Sequence, residues 1–298
     1  MTPQSRQLFP SRGAARTAVT WLTAAVALLV AGASAAGLLV GGLYTDPPAV
    51  AVMFRGYDLV TLVLVAPLLV LTLVPSLRDR VTTTLLRVGL LAFCVYDYAY
   101  YLFGAELNAT LLAHVAIFTG SLYALVLSVM TLDVAALAEH FAATTPVRTV
   151  AAILALLGGA LAAIQLLGLA TFAVTGAAPQ EPSQLVVPLT FTRLGAVLDL
   201  ALLVPTYLLA AVLLWRRRGG GYLIAVTVLV AGLLHQASYV SGMLFQLAAD
   251  IPGAAFDPVE PVIIVLYLAA AVLLLANVRG DAHLRVRVSE REPTLASR

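Results

Sequence analysis

A series of apolar runs, each about twenty residues long, recurs from one end of this 298-residue chain to the other. Wound as helix at about 1.5 Å per residue, a run of that length crosses the roughly 30 Å hydrocarbon core of a bilayer. In hydrocarbon every backbone N–H and C=O must bond within the chain, so such runs fold as helices. Only 11% of the residues are charged, against about 25% in a soluble domain. That is too little to wet the surface of a water-soluble fold. The reading is an all-α polytopic membrane protein with eight spanning helices, at about 17–43, 58–76, 85–104, 109–132, 149–172, 191–215, 221–245 and 260–278. The first run follows Arg6, Arg12 and Arg16 and contains Ala33-Ser34-Ala35, which imitates a cleaved leader. It stays apolar as far as Leu43, and that favours a retained helix.

Every one of the 17 basic residues is arginine, and their placement sets a topology through the bias of basic residues toward the cytoplasm. With the N-terminus inside, Arg6, Arg12, Arg16, Arg78, Arg80, Arg87, Arg148, Arg216 to Arg218 and the five arginines of the tail all lie on the cytoplasmic side. Arg55 and Arg193 are the two exceptions. Both termini are therefore expected inside. The arginine-only, Ala/Leu/Val-rich composition suggests a bacterial inner membrane. Without lysine the chain has no side chain for a Schiff base, which excludes a retinal pigment of the usual type. The single Cys94 lies in an apolar run and reads as a packed core residue.

The two exceptional arginines share a context. Arg55 precedes Pro67 by twelve residues, and Arg193 precedes Pro205 by twelve. The same offset of 138 pairs Arg78 with Arg216, Arg80 with Arg218, Tyr101 with Tyr239 and Gly104 with Gly242. Matched Arg, Pro, Tyr and Gly point to an internal duplication. It divides the chain into a cytoplasmic arm (1–16), a first four-helix repeat (17–132), a cytoplasmic linker (133–148), a second repeat (149–278) and a basic tail (279–298). Because four is even, the halves enter the membrane in the same sense, as parallel repeats.

Polar side chains gather in the outer halves of the helices. Arg55 and Asp58 are expected at the outer mouth of the second helix, Asp97 and Tyr101 in the third, His114 in the fourth, and Gln165 in the fifth. Arg193 opens the sixth above Asp199, while His235, Gln236 and Tyr239 occupy the seventh. Charge in hydrocarbon costs a few kcal/mol on lenient scales, so these groups are expected to face a pocket open to the extracytoplasmic side. The candidate ligand-binding set is Arg55, Asp58, Asp97, Tyr101, His114, Arg193, Asp199, His235 and Tyr239. The offset also matches Asp97 with His235. If the halves meet at the pseudo-axis these two would approach each other, and such a pair can hold or relay a proton. The sequence alone does not decide whether they touch.

Plainer explanations stand beside several of these. Arg55 and Asp58 at i,i+3 read equally as an interfacial pair with a snorkelling arginine. The run Tyr96 to Gly104, YDYAYYLFG, reads most economically as an aromatic belt, and Asp250, Asp257 and Glu260 read as a solvated acidic loop. Pro67 and Pro205 are expected to kink their helices. No HExxH or Cys/His spacing supports a metal, bis-histidine haem lacks paired ligands, and no cofactor is expected. Nothing suggests nucleic acid or a particular protein partner. The basic tail reads as a segment beside anionic lipid. The leading function is binding, and in one form transport, of a small polar or anionic ligand between the repeats. An intramembrane enzyme acting on a lipid-linked or isoprenoid substrate, with Asp97, His235 and Asp199 as acid and base, is the alternative. A structural subunit is the third.

Overall fold

The computed structural model describes residues 12–78, 80–176 and 185–279; most of the expected N-terminal arm and nearly all of the basic tail lie outside them. The chain is helical, with no strand beyond an isolated bridge among the described residues. Seven helices are long and apolar enough to cross a membrane: α1 (Gly13–Leu39, its first turn at Arg12), α2 (Pro48–Leu71), α3 (Val81–Phe103), α4 (Leu111–Thr131), α5 (Val147–Thr175), α6 (Leu189–Trp215) and α7 (Gly219–Ala248). The eighth apolar run forms α8 (Glu260–Leu275), whose 16 residues cover about 24 Å. Large apolar side chains face outward along the bundle, with Leu39, Leu112 and Val174 all more than three-quarters exposed. A surface of that kind is suited to lipid rather than water.

The second helix departs most from expectation. It begins at Pro48 rather than near residue 58, because a proline in the first turn needs no N–H partner and brings its φ already set. Arg55 and Asp58 therefore lie about two and three turns inside the helix, not at its mouth.

Two interruptions of the α-helical pattern fall 138 residues apart. Thr61–Val65 and Asp199–Leu203 are each one π turn, closed by Ala66 N–H to Thr61 O and by Val204 N–H to Asp199 O. Pro67 and Pro205 follow immediately. A proline inside an α-helix clashes with the carbonyl four residues back and leaves it without a donor. Widening the preceding turn to i→i−5 relieves that crowding.

The helices pair in a matching way in the two halves. α1 lies against α2 and α4, with α3 against α4; α5 lies against α6 and α8, with α7 against α8. α3 and α7, each starting just after an extended arginine (Arg80, Arg218), meet at the centre. The correspondence fails at two places. One is that α6 packs along α7, whereas α2 barely meets α3. The other is that α2 packs closely along α7, while α3 only touches the beginning of α6.

Glycines explain the α2–α7 and α3–α6 contacts. A Cβ on Gly56 would stand 2.7 Å from the Gly242 Cα, so these two helices meet backbone to backbone, the geometry that small residues permit in membranes. Ser241 Oγ donates to Gly56 O at 2.7 Å across this crossing. At Gly104, which corresponds to Gly242, the neighbour is instead the ring of Phe191, 2.9 Å from where a Cβ would be. That ring holds α6 off α3.

The two ends of the bundle are tied by loop contacts. At the arginine-rich end, Ala142 N–H donates to Asn277 O (2.9 Å), Arg279 N–H to His140 O (2.8 Å) and Arg217 Nη2 to Thr145 O (3.4 Å). At the other end Glu106 N–H donates to Asp46 Oδ1 (2.9 Å) and Thr45 Oγ1 to Leu107 O (2.8 Å). Gln246 links three segments there, donating to Ala49 O (2.9 Å) and Val186 O (3.0 Å) while its Oε1 accepts from Val186 N–H (2.9 Å).

Gly56→Leu should lower the thermal stability of the detergent-solubilised protein by the equivalent of at least about 1–3 kcal/mol, the cost of overpacking a tight contact. Gly159→Ala, where a Cβ meets nothing within 4 Å, should cost nothing. Burial pushes the Asp46 carboxyl, in the α1–α2 loop, above its ordinary value. A carboxyl whose value is raised on folding destabilises the folded state once ionised, and that cost disappears as pH falls from the raised value to the ordinary one. Asp46→Asn, which keeps the acceptor for Glu106 N–H, should therefore raise the melting temperature at neutral pH, and the gain should fade on acidification.

Candidate functional site

Holding α6 away from α3 leaves a cavity of about 760 Å³, lined by α5, α6, α7 and α8 with Met53, Tyr57 and Tyr100 from the first half. It is within the size range of small-molecule sites, about 300–1,000 Å³. Its walls are largely apolar, and its polar groups converge from different helices.

Asp199 is the first residue of the α6 π turn and only 9% exposed. Tyr96 OH donates to its Oδ1 at 2.5 Å and Gln165 Nε2 to its Oδ2 at 2.7 Å. Two neutral donors from α3 and α5 thus fix the carboxylate on the cavity wall. Tyr96 OH also lies 3.3 Å from Tyr100 OH.

Asp97 and His235, matched by the 138-residue offset, are in contact. His235 Nδ1 lies 3.1 Å from Asp97 Oδ1, with Asp97 fully buried and the imidazole 18% exposed. His235 lines the cavity and Asp97 stands behind it. The ring is held on three sides by tyrosines: stacked on Tyr100 (5.8 Å between centroids), and edge-on to Tyr96 (4.8 Å) and Tyr57 (6.2 Å). With Nδ1 facing the carboxylate, Nε2 is the nitrogen left for exchange with a ligand, the usual arrangement in which a carboxylate orients a working histidine.

Gln236, one residue on, donates to Glu260 at the start of α8, and both line the cavity with Tyr239. Glu260 thus belongs to the cavity and not to a solvated loop. Arg193 is exposed and also lines it.

The remaining candidates form a separate group in the first half. Asp58 is buried between Tyr44 OH, donating to Oδ2 at 2.5 Å, and Tyr101 OH, donating to Oδ1 at 3.2 Å. A Cβ on Gly37 would overlap its Oδ2, so that glycine lets α1 close over the carboxylate. His114 is buried against the rings of Tyr101 (4.7 Å) and Tyr98 (5.6 Å). Arg55 donates through Nη2 to Leu38 O at 3.2 Å, capping the last turn of α1 as an arginine does at a helix end. None of Arg55, Asp58, Tyr101 or His114 lines the cavity.

The aromatic belt expected at Tyr96–Gly104 is not one. Tyr96, Tyr98 and Tyr101 are buried, because α3 is central and every face of it meets another helix. Tyr57, Tyr96, Tyr100 and Glu260 are contributors to the site that the sequence reading did not select, while Gln165 and Gln236 were expected near the pocket but not among the candidate ligand-binding residues. Spacing offered a signal for two of them only: Tyr96 and Tyr100 share a face at i,i+4. Among the described residues no group of three His, Cys, Asp or Glu side chains is placed to hold a metal ion.

If Asp97 and His235 act as a unit, a double-mutant cycle with Asp97→Ala and His235→Ala should give a coupling energy of about 1–3 kcal/mol in unfolding experiments. Asp97→Asn should change the ¹⁵N shifts of the His235 ring, reporting a change in which nitrogen carries the proton. Compared with protein-family models, with curated proteins and with solved structures, the chain matches none.

Proposed function

We propose that this is a multi-pass membrane protein that binds a small polar ligand in the α5–α8 cavity. The observation that carries the reading is the convergence of Asp199, His235, Gln236, Glu260 and Gln165 from four helices on one cavity within an otherwise apolar bundle. Polar groups kept in hydrocarbon at such cost face function more often than lipid.

The cavity lies toward the end opposite Arg78, Arg80, Arg148 and Arg216 to Arg218. The arginine bias therefore favours an N-in, C-in topology with an extracytoplasmic opening in the inner membrane of a bacterium. Two parallel four-helix repeats are supported by the π turns at Thr61–Val65 and Asp199–Leu203, by the prolines after them and by the matching helix pairs. In this arrangement the cavity is bounded by the second repeat and closed on one side by tyrosines of the first. Of the two pseudo-equivalent arginines expected to flank a ligand, only Arg193 lines the cavity, and Arg55 serves α1.

Onward transport suits paired repeats. The walls oppose it: toward the arginine-rich end, past the Tyr207–Tyr267 hydroxyl contact of 2.6 Å, α6 and α8 continue with apolar side chains up to Trp215 and Leu275. Acid–base chemistry on a lipid-linked substrate is the second reading, favoured by the Asp97–His235 pair with Nε2 free at the cavity. In that case His235→Gln should leave ligand affinity within a few-fold and abolish turnover.

Native mass spectrometry of the gently purified protein tests the site. A co-purifying mass should be present in the wild type and in Arg55→Ala, and lost in an Asp199→Ala, Gln165→Ala double variant. An adduct that survives the double variant, or none in the wild type, would count against the cavity.

A further inference from the structure

The charge balance of the cavity identifies the chemical class of its ligand, given that the cavity is the binding site. Its lining carries two carboxylates, Asp199 and Glu260, one guanidinium, Arg193, and the His235 imidazole, which has its own carboxylate partner in Asp97 behind the wall. Arg193 is exposed, in the second turn of α6. Asp199 is nine-tenths buried, and both of its hydrogen-bond donors, the Tyr96 hydroxyl and the Gln165 amide, are neutral. Among the described residues no arginine pairs with it, and His235, the nearby imidazole, is taken up by Asp97 at 3.1 Å. A buried carboxylate with only neutral partners keeps much of its desolvation cost, and a cation from outside the chain offsets it.

The aromatic surfaces point the same way. Tyr57, Tyr100, Tyr239 and Tyr267 line the cavity, and ring faces attract organic cations, most of all where water is excluded. Flanking Gln165, α5 presents Leu161, Ile164, Leu169 and Phe172 to the cavity, and Ile164, Leu169 and Phe172 are exposed. An apolar chain would lie there, continuous with lipid.

We infer that the ligand is a cationic amphiphile: an ammonium head seated between Asp199 and Glu260 against the tyrosines, with its apolar chain along α5. An anionic head of the same length would face two carboxylates and gain only the exposed Arg193. A neutral sugar head would hydrogen-bond the amides and leave the Asp199 charge uncompensated.

The test uses the full chain in nanodiscs of zwitterionic lipid and three probes with one common tail: dodecyltrimethylammonium, dodecyl sulfate and dodecyl glucoside. Dodecyltrimethylammonium should bind saturably to the wild type, and at least about tenfold more weakly to Asp199→Asn, as expected when a charge-assisted contact becomes a neutral one. Glu260→Gln should weaken it in the same direction, and Arg55→Ala, which lies outside the cavity, should not. Dodecyl sulfate should show no saturable binding. Equal or tighter binding of the sulfate or the glucoside would overturn the cationic class while leaving the cavity as a ligand site. No saturable binding of any probe to a monodisperse, wild-type-stable protein would overturn both. Should Asp199→Asn fail to fold, the three-probe comparison on the wild type decides by itself.

Discussion

The backbones of α2 and α7 touch at Gly56 and Gly242, and the centre of the molecule is arranged around that crossing. Lipid supplies no hydrophobic force to drive helices together, so close approach, dispersion and interhelical hydrogen bonds must do so. Two glycines provide the approach, and the Ser241 hydroxyl on Gly56 O adds the bond. The crossing brings Tyr57 against the His235 ring, and α3, packed on the same α7, supplies Asp97, Tyr96 and Tyr100. Because α7 is drawn toward α2, the equivalent closure of α6 on α3 does not follow. Phe191 occupies that contact at Gly104, and the cavity is the space it leaves.

Each buried acid among the helices is then accommodated by phenols, an amide or an imidazole, and none by a described guanidinium. Asp58 takes Tyr44 and Tyr101, Asp199 takes Tyr96 and Gln165, and Asp97 takes His235. Tyrosine suits this position: its ring packs in an apolar setting while its hydroxyl reaches a polar partner. The YDYAYY run places donors on several faces of α3 at once. That arrangement serves a helix with neighbours all round, and it would expose polar groups to lipid on a peripheral one.

How much of this was legible in the sequence depends on the range of the interaction. Long apolar runs determine helices locally, so most spans fell within a few residues of their final bounds. The 138-residue offset matched one pair that the structure brings together, Asp97 with His235. Arg55 was misplaced for a local reason. The helix extends back to Pro48, and the nearest orphan carbonyl, Leu38 O, belongs to another helix end. The π turns were hidden, since nothing in Thr61–Val65 or Asp199–Leu203 marks them except the proline that follows. Glu260 looked like a solvated loop residue because its partner, Gln236, lies 24 positions away on another helix.

The two halves, compared across the 138-residue offset, place their acids differently. The first half has an acid at Asp58, where the offset puts Ala196 in the second; the second has one at Asp199, where the offset puts Thr61 in the first. Thr61 and Asp199 both open a π turn, but the threonine hydroxyl bonds its own helix at Tyr57 O (2.9 Å), whereas the aspartate reaches across to α3 and α5. Asp58 is sealed by Tyr44, which folds back from the α1–α2 loop, and by α1 closing at Gly37. An acid so enclosed organises the bundle, and an acid at the edge of an open cavity is free to meet a ligand. One framework thus carries a structural carboxylate in one half and an accessible one in the other. The packing around them, Gly37 over Asp58 and Phe191 holding α6 away from α3, makes the difference.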